Sequence, residues 1–221
     1  IMPNLIAAVG RNADRGNSNA CLFEVGADYQ DDTPTGQRTV AAGVRAGDTG
    51  DRHWSTPARA WDVFDAKADS MAILKAAGAP VNNLQATPDA PDWYHPGRSG
   101  VLRLGPAVLA NFGEIHPKIL KTMDVDGPIV AFEVFFDAIP KARKKQGKTR
   151  PALVSSPFQP VRRDFAFVLD ESVSSAKVIS AVRAAEKKLI SDVSIFDVYA
   201  GANLGDGKKS IALSVTLQPV D

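Results

Sequence analysis

The 221 residues allow one or two domains of ordinary size, and 44% apolar with 23% charged residues is typical of a folded globular protein. This composition argues against collagen-like, coiled-coil and wholly disordered proteins. The single cysteine, Cys21, excludes an internal disulfide and a zinc site built from several thiolates, and it fits the reducing conditions of the cytoplasm. No apolar run approaches the roughly 18 residues that span a membrane, so we expect no membrane partner.

The net charge of +1 conceals two halves of opposite sign. Residues 1–137 carry 12 basic and 17 acidic side chains, a net charge of −5. Residues 138–221 carry 14 basic and 8 acidic side chains, a net charge of +6. We therefore expect two units with different partners, and the basic half is the candidate for binding a polyanion.

The first half predicts helices and strands along its whole length. Proline at position 3 and an apolar stripe predict a helix over 3–15, and Asp62 is suited to cap a helix over 61–78. The proline-rich residues 79–97 predict mostly loop. The remaining predictions are strands over 21–25, 40–45, 100–104, 108–113 and 129–136, and a short helix over 116–123.

The second half begins with a basic linker over 141–157, where six cations occur without an acid. Beyond it the pattern predicts a strand, a helix capped by Ser174, a second strand, a glycine-rich turn and a third strand with strict apolar–polar alternation. The bounds of these elements are 164–169, 174–190, 193–199, 201–208 and 211–217. A ferredoxin-like unit has one more helix and strand than this β-α-β-β order. Because the chain also starts with Ile1 rather than methionine, we expect a fragment of a longer protein.

Two motifs suggest chemistry that a structural role also explains. The segment 201–210 resembles a phosphate-binding P-loop, but its spacing departs from that motif, and a glycine-rich hairpin turn is favoured. Asp62, Asp65 and Asp69 lie near one face of the predicted helix over 61–78 and could hold magnesium. Capping of the helix and a solvated face are the simpler explanation for these aspartates.

Two further candidates involve metal-binding or nucleophilic side chains. His95, Glu114 and His116 form a sufficient ligand set for a catalytic zinc ion, although nothing in their spacing places them together. We favour turns and helix starts as the role of the two His-Pro pairs. Cys21 precedes a hydrophobic strand without a basic neighbour in sequence, so it is expected to be a buried structural thiol rather than a nucleophile.

Short motifs occur in a fixed order along both halves of the chain. They are LFEVG at 22–26, DVFDAK at 62–67, HPGRS at 95–99, GEIHP at 113–117, PVRRDFAF at 160–167, FDVYAG at 196–201 and GKKSIA at 207–212. In this order they resemble the β subunits of bacterial phenylalanyl-tRNA synthetases. The first four resemble the synthetase-like module of that family, and the last three resemble its ferredoxin-fold anticodon-binding domain.

The resemblance implies an α+β fold. It implies a non-catalytic class II synthetase-like antiparallel sheet module over 1–140 and a truncated, ferredoxin-like anticodon-binding domain over 158–221. It also implies that an α subunit carries the active site, which uses ATP and Mg²⁺, while this chain holds no cofactor of its own. Leu22 stands where a catalytic class II strand has arginine, which agrees with an inactive module that packs against α in an (αβ)₂ assembly.

We therefore expect the first half to be a scaffold and subunit interface, and the second half to bind tRNA-Phe near its anticodon. The residues predicted to bind RNA, from charge and position, are Arg162, Arg163, Tyr199, Lys208 and Lys209. Arg163 could equally form a structural ion pair with Asp164 or Asp197. Two other functions stay open: a free-standing metal-dependent enzyme that uses His95, Glu114 and His116, and a pure scaffold whose basic face is incidental.

Overall fold

The computed structural model describes residues 1–140 and 155–219. The chain divides into two compact units between Lys145 and Gln146. Residues 141–154, which make up most of the predicted basic linker, lie outside the described residues. Within the described ranges, no helix is long and apolar enough to cross a membrane.

The first unit is built on a six-stranded antiparallel sheet with the strand order β1-β2-β6-β5-β4-β3. Its helices are α1 (Met2–Ala13), α2 (Val63–Ala76) and α3 (Pro117–Thr122). Its strands are β1 (Ala20–Tyr29), β2 (Gln37–Ala46), β3 (Gln85–Thr87), β4 (Tyr94–Leu104), β5 (Ala107–Ile115) and β6 (Ile129–Phe135). The mixture of an antiparallel sheet with helices is the predicted α+β class.

The two faces of this sheet are covered to different extents. The apolar stripe of α1, which includes Leu5 and Val9, packs on one face against β2 and β6. On the other face, Leu74 of α2 packs on the part of the sheet formed by β5 and β6. The adjoining part of that face, on β1, keeps Phe23 and Val25 exposed.

Asp62 caps α2 as the sequence predicted. Its carboxylate accepts hydrogen bonds from the backbone N–H groups of Phe64 at 2.8 Å and Asp65 at 3.2 Å, and the Asp65 carboxylate accepts one from the Asp62 N–H at 2.9 Å. This reciprocal arrangement is a capping box, which satisfies N–H groups that a helix start leaves unpaired. Asp69 binds the guanidinium of Arg45 at 2.6 Å. The capping interpretation of these aspartates is therefore confirmed for Asp62 and Asp65, and Asp69 forms an ion pair.

One prediction for the first unit is wrong. Cys21 is exposed rather than buried, because its side chain lies on the part of the β1 face that α2 leaves uncovered. Residues 79–97 lie mostly outside strands and α-helices, as predicted, although they contain β3 and the start of β4. Pro96 is accommodated in β4 because the pairing of β4 with β5 is irregular between Tyr94 and Ser99, where the proline need not donate a ladder hydrogen bond.

The second unit has the predicted β-α-β-β order. Its elements are β7 (Val161–Asp170), α4 (Ser175–Ala185), β8 (Ile190–Tyr199) and β9 (Lys208–Leu217). The three strands form an antiparallel sheet in the order β7-β9-β8, and α4 is capped by the hydroxyl of Ser174. The helix ends at Ala185, earlier than predicted, and Ala185 is exposed. The chain after Ala185 must turn back to start β8 at Ile190, so Leu189 lies in this turn rather than in the helix.

The ion pair at the start of α2 predicts a specific response to acid. Arg59 donates to both carboxylate oxygens of Asp65, at 2.7 and 2.8 Å, and lowers the pKa of Asp65 from 3.8 to about 2. A carboxyl group with a depressed pKa in the folded state stabilises the fold above its unfolded pKa, and this stabilisation is lost as the pH falls toward the folded pKa. We expect Arg59→Gln to lower the free energy of unfolding above pH 4, and the difference from wild type to shrink as the pH approaches 2.

Urea unfolding of both proteins across this pH range measures the effect. Arg52→Gln, which removes a cation from the same loop, is the control and should show no such pH dependence. A difference between Arg59→Gln and wild type that stays constant from pH 6 to pH 2 would contradict the assignment.

Candidate nucleic-acid interface

The alternation of β9 gives the sheet of the second unit two different faces. Ile211, Leu213 and Val215 are buried and form a core with Val178 of α4. The intervening residues of β9 point to the opposite side, which we call the open face. Among the described residues of this unit, α4 is the one α-helix, and its apolar side chains pack on the side away from the open face.

Small and polar side chains form the floor of the open face. On β9 they are Ser210, Ala212, Ser214 and Thr216, and on β7 the opposing residues include Asp164 and Ala166. Small side chains leave room for a flat group to approach the sheet. The open face therefore has the shape expected of a surface that receives a planar ligand.

Three of the residues predicted to bind RNA lie on the open face. Tyr199 is opposite Ser210, Lys208 is opposite Asp170, and Arg162 is opposite Thr216. Tyr199 and Lys208 share one end of the sheet. Arg162 lies eight residues before Asp170 along β7, which corresponds to about 26 Å in an extended strand.

The other two predicted residues lie on the side that faces α4. Arg163 is opposite Val215, and Lys209 is opposite Leu169. The structure thus brings Tyr199 and Lys208 together but separates Arg163 and Lys209 from them by the thickness of the sheet. Adjacent residues of a strand point to opposite faces, so a pair of neighbouring cations cannot serve one face.

Hydrogen bonds fix the orientation of these cations. Arg162 Nε donates to Ser214 Oγ at 2.6 Å, which holds the side chain against the floor of the open face. Lys208 Nζ is 2.6 Å from the carboxylate of Asp170, and both side chains are exposed. Arg163 Nη1 donates to the carbonyl oxygen of Arg162 at 3.2 Å, and the described residues show no ion pair from Arg163 to Asp164 or Asp197. Lys209 Nζ donates to the carbonyl oxygen of Glu171 at 2.7 Å.

The polar residues on the open face that sequence reasoning missed include two near Tyr199. Ser210 is the direct cross-strand partner of Tyr199, and Asp197 is the partner of Ala212. Ser210 could have been found by extending the alternation of β9 back by one residue from Ile211. Asp197 could not, because an irregularity in β8 sets its direction.

This group of side chains has the chemistry for binding unpaired nucleotides. Tyr199 is 46% exposed, so one part of its ring is available for stacking on a base. The Ser210 hydroxyl and the Asp197 carboxylate can exchange hydrogen bonds with base edges. Arg162 supplies positive charge for phosphates, and Lys208 does so in competition with its ion pair to Asp170.

The glycine-rich segment before β9 is a hairpin turn, as favoured from the sequence. It contains a short 3-10 turn over Ala202–Leu204 and leads into a strand rather than a helix. Gly205 and Gly207 have φ angles of 82° and 69°, a region that favours glycine. A P-loop requires a helix at this point, so the resemblance to a nucleotide-binding loop is not supported.

The structure brings the two histidines of the alternative metal site close together, and one nitrogen of each ring accepts a hydrogen bond from the backbone. The rings of His95 and His116 are 6.4 Å apart between centroids. His95 Nδ1 accepts a hydrogen bond from the Gly97 N–H at 3.0 Å, and His116 Nδ1 accepts one from the Lys118 N–H at 3.1 Å. These two hydrogen bonds occupy Nδ1 of each ring and do not involve Nε2.

Glu114, the third member of this set, forms a bidentate ion pair with Arg98 at 2.6 and 2.7 Å, which lowers the pKa of the carboxyl. Across residues 1–140 and 155–219, no three or more His, Cys, Asp and Glu side chains are arranged to hold a metal ion. A metal-dependent enzyme built on His95, Glu114 and His116 is therefore not supported.

Comparison with known families supports the resemblance seen in the motifs. Residues 1–136 match the family described as phenylalanyl tRNA synthetase beta chain CLM domain. Residues 156–221 match the family described as ferredoxin-fold anticodon binding domain. These two matches confirm the resemblance on which the sequence prediction rested.

Individual relatives agree with these families. The chain is 58% identical to the phenylalanine–tRNA ligase beta subunit of Rhodospirillum rubrum and 52% identical to that of Paramagnetospirillum magneticum, over 221 residues in each case. It is 51% identical to the corresponding subunit of Brucella abortus. In all three comparisons the whole of this chain aligns to 28% of the relative's length.

Solved structures with a similar arrangement include two of pyrrolysyl-tRNA synthetase from Desulfitobacterium hafniense. Their sequence identities to this chain are 17% and 18%, and the TM-score is 0.43 for each. The similar regions cover 61% and 62% of this chain and 45% of each synthetase chain.

The described residues hold no group of three or more His, Cys, Asp and Glu side chains arranged for a metal ion, and this predicts that added metal does not stabilise the protein. Thermal unfolding in the presence of EDTA and of equimolar Zn²⁺ should give the same midpoint, because the ion finds no complete ligand set. A midpoint that rises with one equivalent of Zn²⁺ in wild type, but not in His95→Ala, would restore the metal-site hypothesis.

Proposed function

This chain belongs to the phenylalanyl-tRNA synthetase beta chain family, and we propose that it acts as part of such a β subunit in the ligation of phenylalanine to tRNA. In this proposal the first unit is a scaffold that contacts the α subunit in an (αβ)₂ assembly. The second unit binds tRNA-Phe near its anticodon, while ATP and Mg²⁺ are used by the α subunit. The complex would work in the cytoplasm, where aminoacylated tRNA is consumed.

One observation supports RNA binding by the second unit more than any other. The unit that matches an anticodon-binding domain presents an aromatic ring, a hydroxyl, two cations and several aspartates on the same sheet face. An anticodon loop offers unpaired bases and a strand of phosphates, and these are the groups that such a face can bind. Stacking of a base on Tyr199 would contribute on the order of 1–3 kcal/mol.

The distribution of charge supports the same division of labour. The half that contains the second unit has a net charge of +6, whereas residues 1–137 have a net charge of −5. Residues 138–157 supply all of this positive excess, because residues 158–221 carry 8 basic and 8 acidic side chains. A polyanion is attracted to the basic segment before the second unit and repelled by the acidic first half. We therefore assign RNA contact to the second half of the chain and protein contact to the first unit.

A scaffold role for the first unit is consistent with the surroundings of Leu22. This residue lies on β1 opposite Val44 and packs against the core beneath α1. The family resemblance places arginine there in catalytic class II strands, where it binds ATP. An apolar, half-buried leucine cannot supply that charge, so the proposed role of this unit is structural.

Salt dependence of tRNA binding provides the first test of the RNA-binding proposal. We expect this chain to bind tRNA-Phe with an affinity that falls steeply as salt rises, because cations of the second unit displace counterions from phosphates. Fluorescence titrations with tRNA-Phe and a non-cognate tRNA, each at several salt concentrations, measure the slope and the preference. Preference for tRNA-Phe supports recognition near the anticodon. No binding even at low salt would leave only the scaffold role for this chain.

Two adjacent lysines test which face of the sheet binds the RNA. Lys208 lies on the open face and Lys209 on the face toward α4, so Lys208→Ala should weaken binding severalfold and lower the salt slope by about one. Lys209→Ala removes the same charge one residue away and is the matched control. Equal losses for both variants would show that general charge, rather than the open face, holds the tRNA.

A further inference from the structure

The direction of Tyr199 depends on an irregularity in β8. Ile195 is opposite Leu213, and Asp197 is opposite the next residue of β9, Ala212, so Phe196 is an extra residue in the strand. Ile195 packs into the core beneath α4. In a regular strand every second residue points to the same side, and Tyr199, four residues further on, would also point toward α4.

The extra residue reverses this alternation. After Phe196, Asp197 and Tyr199 lie on the open face with Ala212 and Ser210. A β-bulge is the usual device by which a strand redirects a side chain next to a functional site. The bulge thus determines the face on which Tyr199 lies, but it does not fix the position of the ring on that face.

Gly201 occupies the position against which the Tyr199 ring lies. A Cβ atom built on Gly201 would be 2.2 Å from the Tyr199 hydroxyl oxygen, 2.5 Å from Cζ and 3.0 Å from Cε1. These separations are too short for any real contact, so the ring can take this position only because residue 201 has no side chain.

Backbone geometry does not explain the glycine at this position. Gly201 has a φ of −162° and a ψ of 161°, an extended conformation that any residue adopts. Gly205 and Gly207, in the same turn, have positive φ angles and therefore an ordinary conformational reason to be glycine. The space taken by the tyrosine ring is the remaining reason for glycine at position 201.

We infer that Gly201 is a positioning residue for RNA binding: it seats the Tyr199 ring at the end of the open face, where the ring stacks on an unpaired base. This inference rests on the function proposed above. Because the atoms that a Cβ would displace belong to the far end of the tyrosine side chain, substitution by alanine moves the ring and leaves the strand in place.

The test compares Gly201→Ala, Tyr199→Ala and the double variant, each in the full chain, by titration with tRNA-Phe. Tyr199→Ala should weaken binding by about fivefold to a hundredfold, the range for loss of one stacked base. Gly201→Ala should weaken binding by about threefold or more, because a displaced ring loses part of its stacking on the base. The double variant should bind no more weakly than Tyr199→Ala, because Gly201 acts through the ring.

Gly50→Ala is the matched control, since a Cβ at Gly50 meets nothing within 4 Å. A second readout does not depend on RNA: the NMR contacts between the Tyr199 ring and the Hα atoms of residue 201 should be strong in wild type, and the ring signals should shift in Gly201→Ala. If Gly201 served folding alone, Gly201→Ala would lower the unfolding midpoint but would leave the signals of the Tyr199 ring unchanged, and this result would overturn the inference.

The outcomes separate this inference from the proposed function. Unchanged affinity in Tyr199→Ala would overturn both the stacking role of the tyrosine and the inference. Weaker binding by Tyr199→Ala together with unchanged affinity in Gly201→Ala would overturn the inference alone. Additive losses in the double variant would also overturn it, because they would show that Gly201 acts independently of Tyr199.

Discussion

The second unit depends on a single constraint, the strict alternation of β9. This strand lies between β7 and β8, so its register decides the direction of side chains on both neighbours. Burial of Ile211, Leu213 and Val215 beneath α4 determines which face is the core. A shift by one residue would place Ser210 and its neighbours in the core and expose the apolar set. The hydrophobic effect therefore fixes the open face without any contribution from RNA.

The sequence predicted those features that arise from local patterns. The alternation of β9 and the capping aspartate Asp62 are read from a few adjacent residues, and the structure has both. The exposure of Cys21 and the closeness of His95 to His116 depend instead on which strands become neighbours and where a helix lies across them. Such relations join residues that are distant in sequence, and no local pattern contains them.

The candidate site shows the same limit within one strand. From charge and position, Arg162 and Arg163 were equivalent, as were Lys208 and Lys209, yet one member of each pair lies on the open face and the other does not. Counting alternation along β9 from its buried residues would have separated the lysines, but β7 has no buried residue from which to separate the arginines. Counting alternation fails on β8, because the extra residue Phe196 reverses the direction of the residues that follow it. No glycine or proline in this part of the sequence indicates the bulge. The direction of Tyr199 could thus be known only from the pairing.

The arrangement on the open face also constrains how an RNA could lie there. The groups suited to bases, Tyr199 and Ser210, are near one end of the sheet beside Lys208, whereas Arg162 is at the other end, six residues or about 20 Å from Ser210 along an extended strand. A single nucleotide cannot reach both ends. A bound strand that places a base on Tyr199 and a phosphate at Arg162 must run across the small residues between them, along the direction of β9. Base contacts at one end would then determine sequence preference, while the distant cation would add affinity with little regard to sequence.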